Sequence, residues 1–261
     1  MRRVKEIINE MEKFAPIYLK EDFDNVGLMV GDKEQKVEKV LLALDCTLKV
    51  IEEAKENNVD LIITHHPLIF RKPSSITTDS LQGKKIIELI KNDIALYSSH
   101  TNLDSVNEGI NHTITKLLGF DNSKILEVNK RDSTAGIGRI AKVDKDITLE
   151  QLVTLVKEKL NIQSLRVVKG NEKISKVAII NGSGQDYIGK AVGKGANCII
   201  TGDTTYHFAS DYKEMGVSII DVGHFASEWI TFLMSIEVVK KQLKDIEFIV
   251  SKVVEDPYDF Y

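Results

Sequence analysis

KVLLALDCTLKVIEEAKENNVDLIIT (39–64) and KVAIINGSGQDYIGKAVGKGANCIIT (176–201) lie on one another without a gap when the first is shifted by 137 residues. Seven of the 26 positions are identical: Lys39/Lys176, Val40/Val177, Ile51/Ile188, Ala54/Ala191, Ile62/Ile199, Ile63/Ile200 and Thr64/Thr201. Each stretch passes from a short apolar run through a helical pattern to a second apolar run that ends in threonine. Short continuous apolar runs read as strands buried on both faces, and strand–helix–strand order predicts a parallel pair joined by a crossover helix. The stretches therefore read as two copies of one α/β unit.

Working outward, Ile86, Ile87, Leu89 and Ile90 predict a helix, and IALYSS (94–99) the next strand. MRRVKEIINEMEKFAP (1–16) predicts an amphipathic first helix, with Val4, Ile7, Ile8 and Met11 on one face and Pro16 beyond its end. In the second half a more polar segment around Lys130–Arg139 precedes a helix at about 148–159. The expected fold is two similar, interlocked α/β domains with mainly parallel sheets, residues 1–125 and 126–261. The C-terminal helix is free to pack back on the first half.

Composition narrows the function classes. The chain has 261 residues, 43% of them apolar, enough for a core in each half. A net charge of −4, with no basic run, argues against a protein that grips nucleic acid backbones. No apolar run approaches the ~20 residues of a membrane span, and the N-terminus lacks a secretory signal. Cys46 and Cys198 are too few and too far apart for a disulfide framework or a metal knuckle. Both are expected to be inert core thiols in a reducing cytosol. The aromatic tail EDPYDFY (255–261) is expected to be disordered or packed on a neighbouring subunit.

Of six histidines, His65, His66, His100, His207 and His224 fall at or just beyond predicted C-terminal ends of strands. In open α/β sheets, ligands bind outside those ends. His112 lies on a helix and reads as a surface residue. In ITHHP (63–67) two adjacent imidazoles leave a buried strand in different directions. They can serve two metals, or simply hydrogen-bond to the backbone. His224 and Glu228 meet one turn apart if a helix begins near Ser227, although alone such a pair is ordinarily a solvated face. Asp104, closing HTNLD (100–104), can equally cap the segment that follows it. Jointly, imidazole and carboxylate without thiolate suit Zn²⁺, Mn²⁺, Fe²⁺, Co²⁺ or Ni²⁺. Two ions about 3.5–4 Å apart need a bridging carboxylate and a handful of other ligands, with positions left for water. His65, His66, Asp104, His224 and Glu228 supply about that number and come from both halves, as a site at the seam between repeats would.

EDFDNVGLMVGD (21–32), IITHHPLIF (62–70), SSHTNLDSVNEGIN (98–111), NGSG (181–184), TGDTTYHFA (201–209) and DVGHFASEW (221–229) resemble the successive signatures of the Nif-three-like family. That family is also known as GTP cyclohydrolase I type 2 homologues, and the chain is similar to its short form, without an inserted middle domain. The resemblance implies two similar α/β domains, a dinuclear metal site and assembly into a toroidal hexamer. It places the metal ligands at His65, His66, Asp104, His224 and Glu228, with Glu228 as the bridge. Phe23 and Phe225 stand where Trp and Tyr are common in the family.

His100 is not among the family's ligands, although it matches His224 in position; a role in orienting Asp104 or shuttling protons is expected. His207, beside Tyr206, is read either as an acid/base at the rim or as a buried helix histidine. Asn181–Gly184 is read as a tight turn, with phosphate binding by its backbone N–H groups as the alternative. Asn25 and Gly27 are read as a structural turn, although the resemblance implies a place near the site, and Trp229 is read as a core residue in preference to a pocket lining. The resemblance implies a metal-dependent hydrolase with two divalent ions per chain, in which a metal-bound hydroxide attacks GTP or another phosphate-bearing small molecule. No residue reads guanine, and Arg71, Lys72 and the NGSG turn are the only nearby candidates for a triphosphate. A non-catalytic metal-binding partner or regulatory protein that forms a ring is the alternative.

Overall fold

The repeat is one of hydrogen-bond register. In the computed structural model, residues 1–259 are described, with all their side chains except those of 144–146. Phe260 and Tyr261, the end of the aromatic tail, lie outside the described residues. The chain runs through β1 (Arg2–Arg3), α1 (Val4–Phe14), β2 (Gly27–Val30), β3 (Lys36–Val37), β4 (Lys39–Ala43), α2 (Leu48–Glu56) and β5 (Leu61–Thr64). It continues through α3 (Leu81–Lys91), β6 (Ala95–Ser98), α4 (Thr101–Ser105), α5 (Ile110–Leu117), β7 (Lys124–Val128), β8 (Gly136–Thr148) and α6 (Leu149–Leu160). Then come β9 (Arg166–Val168), β10 (Lys173–Ser183), α7 (Ile188–Gly193), β11 (Cys198–Gly202), α8 (Tyr206–Glu214), β12 (Ser218–Asp221), α9 (His224–Lys240) and β13 (Glu247–Val250).

β4 pairs in parallel with β5 through Val40↔Leu61, Leu41↔Ile62 and Leu42↔Ile63. β10 pairs in parallel with β11 through Val177↔Cys198, Ala178↔Ile199 and Ile179↔Ile200. Each of these pairs is the other moved by 137 residues. A third strand, β6 or β12, adds in parallel, and an antiparallel edge strand, β2 or β9, closes that side. Beyond this shared core the sheets diverge. The first has the order β13-β4-β5-β6-β2, with β13 parallel to β4. The second has the order β7-β8-β10-β11-β12-β9, with β8 antiparallel to β10.

The chain divides into two compact units, Met1–Leu103 with Ile236–Glu255, and Asp104–Ser235 with the segment from Asp256 onward. It therefore changes unit at three points, which a single cut at 125/126 does not describe. In the first unit, the LIIT of β5 is wholly buried, and its Ile62 packs in one cluster with Leu41, Val50, Ile51, Ala54, Ile86 and Leu89 from the flanking strand and helices. Burial of such side chains on both faces is the main driving force for the parallel core, at about 1.5–3 kcal/mol per large apolar residue. The second unit has two clusters, Leu152, Val156, Val177, Ile179, Ile200 and Ile220 in one, and Ala178, Ile180, Ile188, Ala191, Ile199 and Ile219 in the other. Cys46 and Cys198 are buried within these cores, and desolvation pushes both thiols up to about 12.

The helix and strand expectations hold in their centres, whereas one long strand was not expected. β8 begins inside the segment read as polar. Its pattern is broken by Gly136, Gly138 and a buried Arg139, whose guanidinium donates to the carbonyls of Gly136 and Gly138, both at 2.8 Å. Burial pulls that guanidinium down to about 10. No helix among the described residues is long and apolar enough to cross a membrane.

Candidate functional site

In the first unit, β5 ends at Thr64, whose hydroxyl hydrogen-bonds with Ser98 Oγ at 2.9 Å and donates to the His66 carbonyl at 2.8 Å. The two residues that follow turn off the strand end, His65 fully buried and His66 half-buried. His100 follows β6, which pairs in register with β5. The rings of His65 and His66 lie 5.1 Å apart between centroids, those of His65 and His100 5.1 Å, and those of His66 and His100 5.7 Å. One ring nitrogen of each lies within 4.8 Å of one in the others, so the three can hold a metal ion.

The orientation of these rings is fixed from behind. His65 Nδ1 donates to the Ser99 carbonyl at 2.9 Å, His66 Nδ1 faces Asp45 Oδ1 at 2.9 Å, and His100 Nδ1 faces Asp24 Oδ1 at 2.8 Å. A carbonyl or carboxylate oxygen only accepts, so Nδ1 carries a proton, and in the neutral ring Nε2 is then the nitrogen whose lone pair a metal would use. Asp24 is buried and also accepts from Thr101 N at 3.1 Å and from the Thr101 hydroxyl. Burial alone would raise this carboxyl, but His100 and Thr101 hold it at about 2. The turn reading of the Asp24–Gly27 segment misses this carboxylate. His100 has Asp24 as its partner, where an orienting role toward Asp104 was expected.

In the second unit, α9 starts at His224, three residues earlier than the expected start near Ser227, so His224 and Glu228 share one helix face. His224 Nδ1 faces Asp203 Oδ2 at 2.7 Å, and His224 Nε2 lies 3.1 Å from Glu228 Oε2. With the Nδ1 proton given to Asp203, two lone pairs meet at this second contact unless a proton or a cation lies between them. Asp203 itself has φ 54°, a left-handed backbone that non-glycine residues seldom adopt. The neighbouring Thr204 holds it there: its N–H donates at 2.9 Å to the buried Asp221, which also accepts from Gly223 N at 3.0 Å.

Asp104 and Glu228 are both buried, and Asn181 Nδ2 lies 2.9 Å from Asp104 Oδ1 and 2.9 Å from Glu228 Oε1. The NGSG turn is thus a carboxylate clamp. Its N–H groups have protein acceptors: Asn181 N donates to Asn111 Oδ1 at 3.1 Å, Gly182 N to Ser227 Oγ at 2.9 Å, and Gly184 N to Thr201 Oγ1 at 3.2 Å. These bonds weigh against the phosphate reading. Gly182 has φ +56°, and a Cβ there would sit 2.3 Å from Glu228 Oε1, so only glycine suits this position.

His207 is exposed in the first turn of α8, its ring against Tyr206, and not a buried helix histidine. His112 is half-buried and accepts from Glu108 N at 2.8 Å; burial lowers its pKa. Arg71 and Lys72 are exposed, and Trp229 is half-buried between Phe225 and Phe232.

The model of the Duf34/NIF3 (NGG1p interacting factor 3) family matches residues 2–257. A Clostridium perfringens protein named "GTP cyclohydrolase 1 type 2 homolog" is 56% identical over 260 residues, covering 99% of each chain. A Clostridium acetobutylicum protein of the same name is 51% identical, covering 99% of this chain and 98% of its own. Among solved structures, a Bacillus cereus protein related to NIF3 superposes with a TM-score of 0.91 at 26% identity, over 100% of this chain and 99% of its own.

Proposed function

Because the chain belongs to the Duf34/NIF3 family, we propose that it is a metal-dependent hydrolase of the GTP cyclohydrolase 1 type 2 class, acting on a nucleotide-like or other phosphate-bearing small molecule. The observation that carries this reading is the treatment of four histidines. In His65, His66, His100 and His224 an oxygen faces Nδ1 and accepts its hydrogen bond, so that in the neutral ring Nε2 is the nitrogen able to ligate a metal. Core histidines kept only for packing have no need of that uniformity.

On this reading His65, His66, Asp104, His224 and Glu228 supply the protein ligands of two divalent ions, and Glu228 serves both, as in the family pattern. The donor chemistry fits Zn²⁺, Mn²⁺, Fe²⁺, Co²⁺ or Ni²⁺: imidazole nitrogens and carboxylate oxygens, with no thiolate. Ions held there would supply Lewis acidity and water activation at neutral pH. The protein's own share is orientation. Asp45, Asp24, Asp203 and the Ser99 carbonyl fix the imidazoles, and Asn181 fixes the carboxylates. His207 is the candidate to hand a proton to a leaving group, since it is exposed and near the helix start. The reading also includes cytoplasmic location and assembly into a toroidal hexamer.

The test is a substrate panel on protein loaded with metal, including GTP, phosphomonoesters, phosphodiesters and dinucleotides, with formate and phosphate both measured. Formate release from GTP, absent in Glu228→Ala, supports the cyclohydrolase form; phosphate release alone supports a phosphoester hydrolase. No turnover with both metals bound overturns the hydrolase reading in favour of a non-catalytic metal protein.

A further inference from the structure

One amide group holds two carboxylates. Asn181 is buried, with 7% of its surface exposed, and its Nδ2 is equidistant, at 2.9 Å, from Asp104 Oδ1 and Glu228 Oε1. The assignment of nitrogen and oxygen in this amide follows from its surroundings. Turned over, the amide would set its own oxygen against two carboxylate oxygens. An NH₂ group has two protons, and here one goes to each carboxylate. The backbone behind the amide is anchored independently of its side chain. Asn181 N donates to Asn111 Oδ1 at 3.1 Å, and Asn111 Nδ2 donates to the Asp104 carbonyl at 3.2 Å. Gly182 leaves Glu228 Oε1 the room to meet the amide, since a Cβ there would lie 2.3 Å from it.

From this arrangement we infer that Asn181 is a positioning residue that makes Asp104 and Glu228 bind metal through one oxygen each, and so sets the site against Ca²⁺. The inference rests on the metal reading above and adds its selectivity. Oδ1 of Asp104 and Oε1 of Glu228 each accept one amide proton, which holds both carboxylates in one rotation and favours coordination through Oδ2 and Oε2; on the bridging reading Oε2 would then serve both ions. Single-oxygen carboxylates with imidazole suit compact transition-metal coordination, as in zinc sites with ligand distances of about 2.0–2.2 Å. Ca²⁺ takes about 6–8 oxygen ligands and commonly uses both oxygens of a carboxylate. Released from the amide, each carboxylate can rotate and offer both oxygens. Loss of Asn181 should therefore weaken transition-metal binding and spare or improve Ca²⁺ binding. A side chain that serves only packing would move both ions alike.

The experiment is equilibrium dialysis of the full chain, stripped of metal, against Mn²⁺ and separately against Ca²⁺, with bound metal read by elemental analysis. Wild type, Asn181→Ala and Asn181→Asp are compared, and melting curves of the metal-free proteins establish that each is folded. Asn181→Ala is expected to lose about 10–100-fold in Mn²⁺ affinity, the usual effect of removing a group that orients a metal ligand, with Ca²⁺ affinity unchanged or higher. Asn181→Asp keeps the side-chain shape, replaces the donor with a third carboxylate and should also lower the Mn²⁺/Ca²⁺ affinity ratio at least tenfold. It carries the test if Asn181→Ala does not fold. A wild type that binds Mn²⁺, with an unchanged Mn²⁺/Ca²⁺ ratio in the folded variants, overturns this inference alone. A wild type that binds neither ion overturns the metal reading and this inference with it.

Discussion

The two units share a strand register and differ in what they place at the strand ends. After β5 the first unit puts His65 and His66, and after β6 it puts His100. The second unit ends β11 on Gly202 and puts Asp203 after it, and its ligand candidates are one imidazole, His224, and two buried carboxylates, Asp104 and Glu228. The first set is neutral when its histidines are unprotonated, and the second carries two negative charges when both of its carboxyls are ionised. A shift of 137 residues pairs His66 with Asp203, a candidate ligand in one unit with the residue that orients a ligand in the other. The backbone repeat thus fixed where chemistry can be placed and left its content free to diverge. On the proposed metal reading, Asp104 and Glu228 are expected to supply most of the attraction for a divalent cation, and the imidazoles the preference for transition metals.

The largest effect separating the units is expected from Glu228→Ala, which should cut metal content sharply, as measured by elemental analysis of purified protein. His100→Ala, in the imidazole set, should lower it less. Equal losses would break the proposed division of labour. Next come the orienting carboxylates. Asp24→Asn and Asp203→Asn should each weaken metal binding about 10–100-fold, read by dialysis against Zn²⁺. They should differ in stability. Asp24 is buried, so Asp24→Asn is expected to cost about 1–3 kcal/mol in urea unfolding of the metal-free protein, and Asp203→Asn much less.

The acid limb of stability sharpens the same contrast. The carboxyl of Asp24 sits at about 2 in the folded protein against an ordinary 3.8. A carboxyl lowered by folding stabilises the fold above its unfolded value, and that contribution disappears as pH falls from about 3.8 towards 2. Wild-type protein without metal should therefore lose stability across that window more steeply than Asp24→Asn, measured as melting temperature against pH. Identical curves would show that Asp24 does not carry this linkage.

Much of the fold was legible because its signals are local. Short apolar runs, helix periodicity and the 137-residue repeat lie within contiguous stretches, and Val4, Ile7, Ile8 and Met11 are buried on α1 as their spacing predicts. β8 was not legible. Its glycines and Arg139 interrupt alternation, and the bonds that satisfy the buried guanidinium, to the carbonyls of Gly136, Gly138 and Val106, leave no mark in the residue pattern. The same asymmetry runs through the site. His65, His66 and His224 stand out as residue types at strand ends, whereas Asn181, Asp24 and Asp203 act through partners as many as 77 positions away. An asparagine before glycine reads first as a turn. Extending the repeat two residues past Thr64 and Thr201 sets Gly202-Asp203 against His65-His66 but gives Asp203 no role, and nothing comparable marks Asn181 as a clamp.

The smallest effect concerns His207. His207→Phe should leave metal content and melting temperature unchanged, because the side chain is exposed and lies outside both ligand sets, and should lower turnover of whichever panel member is hydrolysed. Loss of metal in this variant would assign His207 to the ligand sets and remove it from acid/base chemistry.

Metal stoichiometry tests the central claim most directly. Protein purified without added metal, and again after metal removal and reloading with Zn²⁺, Mn²⁺ or Fe²⁺, should hold up to two equivalents of transition metal per chain by elemental analysis. Retention of none after every reloading would contradict the account: the histidines with engaged Nδ1 atoms and the clamped carboxylates would then be structural networks and not ligand sets.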